Sequence, residues 1–402
     1  MANNKRIFYA CRRAGIAPAS VGQLLGGVPS FQTIRGLQSI GLTTTFRLEQ
    51  IFETGQLAIY DNIEGIPDVE ATLEKVLDGY SPIYCLATNY DIGGNPATAA
   101  TLAGRANGYC ILGIQVYDET LSITGYEGIA QSGAASAGLQ TEVHMSGMYT
   151  SSIRYQAAIE RSVTESVTLV GNNKAWVVGA DRTGWNSFTY GGGRWDTPWT
   201  SGIWTSGVSG TYPASYIGGS GGVQRREDLI MDTAGRTYFC VLPYNIPGIT
   251  QSGTSPTGTN IVTSGTFGAH VQSWNVHVDL GREQLNELGR KGAYYRYINW
   301  PIEVVNEIGI IGVSGDMISC TEEGIYGSLT SCGSRYNLID YAIRLALCEG
   351  LVVDCGVKNK LRSVGMTGGD TGRGNVELTY TYANFNDFTV KHPRDPVSAL
   401  RP

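Results

Sequence analysis

Charge is scarce in this chain. Charged residues make up 16% of 402, and lysine and arginine form no run or stripe. Without a basic surface, tight binding to nucleic-acid phosphates is not expected. Histidines number four and are scattered, and none of the eight cysteines form a C-x-x-C pair, so the usual zinc ligand sets are missing. No stretch approaches the roughly 18 uncharged apolar residues of a membrane span. Near the start, Lys5, Arg6, Arg12 and Arg13 surround only a five-residue apolar-type core, too short for a signal peptide. A protein made and folded in a cytoplasm is expected. No Gly-Lys-Ser/Thr follows a glycine cluster, and neither H-E-x-x-H nor G-x-S-x-G occurs. No catalytic residue, metal site or cofactor site is therefore assigned.

Glycine (54) and tyrosine (23) are plentiful, with abundant Thr and Ser. Such a composition favours β-structure with many turns. The net charge of −6 suits a surface past which DNA slides without sticking. Low surface charge also fits a surface largely covered by neighbours.

The most informative feature is an internal repeat. Shifted by 234, residues 37–55 fall on 271–289 without a gap. Gln38, Ser39, Glu49, Gln50, Glu53 and Gly55 meet Gln272, Ser273, Glu283, Gln284, Glu287 and Gly289. Apolar positions follow, as in Leu42/Val276 and Phe46/Leu280. The same shift pairs Tyr60 with Tyr294 and Pro67 with Pro301. A shift of 230 aligns Arg105, Asn107 and Glu119 with Arg335, Asn337 and Glu349. Tandem units that pack side by side point to a ring or array.

Alternating apolar residues predict strands within 36–46, 56–63, 110–116, 162–170, 272–280, 339–347 and 376–382. Residues 67–80 carry both helical and strand patterns; their repeat partner, 301–313, is rich in Ile and Val and tips them toward strand. Residues 282–288 predict a short helical turn, and 89–108 a long loop. The fold class is mainly β: two tandem sandwich or barrel domains at 30–180 and 264–392, with few short helices. An N-terminal arm (1–29), a Gly/Ser/Trp-rich insertion (181–263) and a C-terminal tail (393–402) complete the chain.

Several features have a structural and a chemical reading. Trp185, Trp195, Trp199 and Trp204 lie among Gly, Ser and Thr; they suit a subunit interface, or sugar stacking. Glu322 and Glu323 would suit glycoside hydrolysis only at a through-space separation that sequence does not fix. His277 reads as a surface or interface residue. The run Gly368–Gly369–Asp370–Thr371 reads as a hairpin loop or a cation cradle. Cys348 and Cys355 flank a hairpin at Glu349–Gly350 and are either paired or buried thiols.

Several blocks resemble tail tube proteins of tailed bacteriophages. They are residues 35–84, with Gly-Leu-Gln-Ser at 36–39 and Leu-Glu-Lys-Val-Leu-Asp-Gly-Tyr at 73–80; the strings at 164–172 and 282–289; and 368–371 with 384–388. The two units that hold these blocks, 30–180 and 264–392, make up roughly two-thirds of the chain; 181–263 departs from the pattern. The resemblance implies a virion protein whose copies join edge to edge and stack into a tube that carries DNA to the host without binding it specifically. Six such folds in a ring would need three chains as a pseudo-hexamer; a hexamer of chains stays open. Implied partners are the chain itself and tape-measure, terminator, baseplate and sheath proteins, with no membrane. The alternatives are a tail adaptor or baseplate hub of the same fold, and a carbohydrate-binding or glycan-degrading β-protein.

Overall fold

The computed structural model describes residues 7, 9, 12–18, 30–90, 97–117, 139–178, 203–205, 223–225, 270–289, 293–311, 340, 343–347, 349–368, 374–392 and 395. They are mainly β. Strands β1 (Arg12–Pro18) and β2 (Ser30–Thr33) precede a first set: β3 (Leu37–Thr45), β4 (Leu48–Phe52), β5 (Ile59–Glu64), β6 (Asp68–Val76), β7 (Tyr109–Tyr117), β8 (Leu139–Ala158), β9 (Thr164–Gly171) and β10 (Ala175–Val178). Helices α1 (Ile83–Ala87) and α2 (Leu102–Arg105) lie between β6 and β7. After β11 (Ile203–Thr205) comes a second set: β12 (His270–Asp279), β13 (Arg282–Leu285), β14 (Tyr295–Ile298), β15 (Glu303–Ile311), β16 (Arg344–Ala346), β17 (Val352–Asp354), β18 (Lys360–Thr367), β19 (Glu377–Phe385) and β20 (Thr389–Lys391).

The two sets share one wiring. In the first, β3-β6-β9-β8 form a sheet, the early part of β8 also pairs β7 and β10, and β4-β5 form a hairpin. In the second, β12-β15-β19-β18 form the sheet, β16-β17-β20 the smaller one, and β13-β14 the hairpin. Register agrees residue by residue. Ile40 faces Leu73 as Trp274 faces Ile308, and each pairing slips at a bulge, at Gln38 in one and Gln272 in the other. A second bulge recurs at Ser151 of β8 and Arg362 of β18. Bulges re-aim strands and are features of a fold, not accidents. The offset is 234 for β3/β12 and for the hairpins, 235 for β6/β15, 230 for β7/β16, 211 along β8, and 213 for β9/β19 and β10/β20. The slip from 234 to 235 falls between Glu64 of the first hairpin and Asp68 of β6.

One difference is local. The long strand β8 runs unbroken from its pairing with β7 and β10 into its pairing with β9, whereas its counterpart is split into β17 and β18. Asn359 and Asn384 each donate to the Cys355 carbonyl, and Asn306 donates to Asn359. By register, their first-unit counterparts are Met148, Gly171 and Ala71. Two buried amides thus satisfy the backbone at the break and the third holds one of them in place, since an unpaired buried carbonyl costs about 1–3 kcal/mol.

Alternation builds the core. Val69, Ala71 and Leu73 of β6 point inward with Val167 and Leu169 of β9, and Trp274, Val276 and Val278 of β12 with Ile308 and Ile310 of β15. Both units contribute to one continuous apolar cluster. Full burial of each such side chain contributes about 1.5–3 kcal/mol.

Two expectations are corrected. Residues 282–288 hold strand β13, not a helical turn: Gly281, at φ +48, turns the chain out of β12, and pairing with β14 overrides the helix formers Glu283, Gln284 and Leu285. The region 89–108 is not all loop. Thr101 accepts from the Gly104 amide at 3.2 Å and caps α2, and the backbone of Ala99 stands where a Cβ on Gly104 would lie. Within 1–29, β1 pairs along β7.

Candidate functional site

The two units meet edge to edge. The late part of β8 pairs antiparallel with β12, setting Tyr155 opposite Val276 and Ile153 opposite Val278. All four side chains are fully buried. Just past the ladder, Leu280 donates its amide to the Ser151 carbonyl at 2.8 Å, and its side chain is 1% exposed.

The hairpin β13–β14 extends this junction over the first unit. Arg282 donates through Nε to the Thr150 carbonyl at 2.6 Å and through Nη1 to the Ala106 carbonyl at 2.9 Å, with its guanidinium 5.0 Å from the Tyr149 ring. Burial lowers its pKa to about 10, and the nearby Tyr149 hydroxyl partly offsets this; it remains a cation at neutral pH. Arg296 reaches Asp68 at 2.9 Å and Asn172 at 3.2 Å. Tyr295 packs edge-on against Tyr149, ring centres 5.6 Å apart.

The outer ends lack such cover. Among the described residues β3 pairs only β6, and β18 pairs only β19. Phe46, the counterpart of Leu280, is 66% exposed; Met366, the counterpart of Tyr155, is 63% exposed. On the hairpin β4–β5, Leu48, Phe52, Leu57 and Tyr60 are exposed, and Ile59 is 42% exposed against 4% for its counterpart Ala293. Exposed apolar groups on adjoining elements mark an interaction surface. These residues escape a single-strand reading, because each looks like an ordinary half-buried strand position. The signal that finds them is the pair Phe46/Leu280 in the aligned repeat, once one partner is known to be buried at a junction.

A buried polar cluster sits behind the first unit. Glu165 accepts from the amides of Ile83 at 2.6 Å and Tyr84 at 3.1 Å, and from the Tyr155 hydroxyl at 2.8 Å. Burial raises its pKa above the ordinary carboxylate range, against the opposing pull of Lys75. Lys75 donates to the carbonyls of Tyr80 and Ser81 and pairs with Asp78 at 3.2 Å. Perturbed carboxyls occur at functional sites, but this one is wholly enclosed and occupied by donors. Its geometry is that of a cap on α1, whose N-cap residue Pro82 makes no side-chain bond. Arg105 and Asp395 form a second buried ion pair, beside which Leu102 donates to the Phe388 carbonyl at 2.8 Å.

Of the residues singled out in the sequence, Trp185, Trp195, Trp199, Glu322, Glu323, Cys348, Gly369, Asp370 and Thr371 lie outside the described residues. The backbone of Trp204 belongs to β11, which runs parallel to β2. His277 is exposed on β12 opposite Arg154 of β8. Cys85, Cys110 and Cys355 are buried free thiols. Among the described residues no group of three or more His, Cys, Asp or Glu is placed to hold a metal ion, and no helix is long and apolar enough to cross a membrane.

No family model matches the chain, and no curated protein matches it. Among solved structures, the chain is weakly similar to the tube-terminating cap of the anti-feeding prophage, with a TM-score of 0.30 and 10% identity over 44% of this chain and 95% of that one.

Proposed function

We propose that this chain is a structural subunit of a tailed-bacteriophage tail, whose copies assemble into stacked rings forming a conduit for DNA. The observation that carries the reading is the duplicated unit, joined to itself through β8 and β12, with the corresponding strands β18 and β3 left at the two outer edges among the described residues. An open sheet edge is a liability in a monomer, and a closed ring removes it. The tail assignment draws on the motif resemblance of 35–84, 164–172 and 282–289. The acidic balance is compatible with a bore that repels phosphate. Other tail proteins would cap and extend the stack.

Electron microscopy of the purified protein at high concentration tests this. Rings about 10 nm across, the width expected for six small domains, stacked into hollow rods, are the expected result. Rings that never stack would favour the adaptor or hub of the same fold. A compact monomer at every concentration would reject self-assembly altogether.

A further inference from the structure

We infer that neighbouring copies join by pairing β18 of one chain with β3 of the next, in the register that β8 and β12 already use within the chain, with the hairpin β4–β5 laid over the neighbour as β13–β14 is laid over the first unit. This rests on the reading of the chain as a ring-forming subunit, and it names the surfaces that close the ring.

The internal junction supplies the template. β18 is the counterpart of late β8 at an offset of 211, down to the shared bulge; β3 is the counterpart of β12 at 234, down to its own. Transposing the internal ladder by these offsets sets Met366 opposite Leu42, Gly365 opposite Thr43 and Val364 opposite Thr44 of the next copy. The bond from the Leu280 amide to the Ser151 carbonyl becomes one from the Phe46 amide to the Arg362 carbonyl.

Exposure follows the same pattern. Tyr155, Val276 and Leu280 are buried at the internal junction, while Met366 and Phe46 stand in solvent and Leu42 is half-buried. The edges are also chemically open. No Lys, Arg, Asp, Glu or Pro occurs in β3 or in 363–367, the part of β18 that the transposed ladder uses, and the charged residues of β18, Lys360 and Arg362, stand at its start; proteins that must stay monomeric blunt their edges with such residues. Gly365 leaves open space where a Cβ would stand. The two surfaces differ from each other, so the contact is head-to-tail. Repetition of one head-to-tail step gives a ring when the rotation closes, and each chain then contributes two steps, one internal and one to its neighbour.

Cysteine cross-linking tests the register. In assembled protein, the double variant Leu42→Cys/Met366→Cys treated with a short bismaleimide should give inter-chain products about tenfold above either single variant, since the paired thiols are held at high effective concentration. The distant pair Leu42→Cys/Lys360→Cys, which the proposed register holds about 20 Å apart along β18, serves as control and should cross-link far less. Hydrogen exchange on the unaltered protein provides a substitution-free readout: residues 39–46 and 362–368 should gain protection on assembly. If rings form but the two double variants cross-link equally and those segments gain no protection, this junction is wrong and ring formation stands. If the unaltered protein forms no rings, the subunit reading itself fails.

Discussion

At the residue scale, the two units show how one position is filled differently by one fold. Register places Lys75 opposite Glu165 in the first unit and Ile310 opposite Leu378 in the second. The apolar pair needs no further partner. In the first unit each polar residue has partners elsewhere: Glu165 holds the amides of Ile83 and Tyr84 and the Tyr155 hydroxyl, and Lys75 pairs with Asp78. Copying the second unit's choice, Glu165→Leu, strands those three donors in the core; at about 1–3 kcal/mol for each unsatisfied group, a loss of about 3 kcal/mol or more in urea unfolding is expected. The pH dependence has a definite sign. Because burial raises the carboxyl's pKa in the folded state, folding favours the protonated form. This contribution to stability is fully present below the unfolded pKa and is lost as pH rises through the raised folded value. Glu165→Gln should remove that part of the slope; an unchanged slope would contradict the assignment.

At the scale of elements, the hairpins are the same device used twice. The second, β13–β14, is pinned onto the first unit by Arg282 and Arg296. Its counterpart β4–β5 presents apolar side chains to solvent. Arg296→Ala removes charge-assisted bonds to Asp68 and Asn172 and should cost about 1.5–3 kcal/mol. Hydrogen exchange should quicken across 293–298 while β12 stays protected; equal rates in variant and parent would show that the arginine does not anchor the hairpin. Much of this layer was legible in the sequence. The 234 offset matches β3 with β12 because their apolar positions and several identities coincide, and it matches 48–55 with 282–289 without revealing a hairpin in either, since Glu283, Gln284 and Leu285 read as a helical turn. It also tips β6 toward strand, because the repeat partner 301–313 is rich in Ile and Val; in the structure the two strands match one residue further on, at 235. The offset of 230 at Arg105/Arg335 is the offset at which β7 and β16 prove to be equivalent. The helices α1 and α2 were not legible. One is five residues long and the other four, too short for a periodic signal, and α1 depends on a carboxylate 82 residues away. The open edges were not legible either, because exposure belongs to sheet order and not to any one strand's pattern.

At the scale of the whole molecule, a chain carrying two copies of one unit has already made half of a contact that a single-unit subunit would make between molecules. The internal joint is covalently assisted, so the proposed inter-chain joint should be the first to open on dilution. A bore for DNA requires carboxylates and neutral polar groups toward the axis, since a continuous Lys/Arg lining would hold phosphate. The measurement that tests this picture most directly is the native mass of a single ring together with its rotational symmetry. A mass three times 43.1 kDa, with six similar lobes related by true threefold symmetry, is expected. A ring of six chains with twelve lobes, or one in which half of the units stand outside the wall, would contradict it.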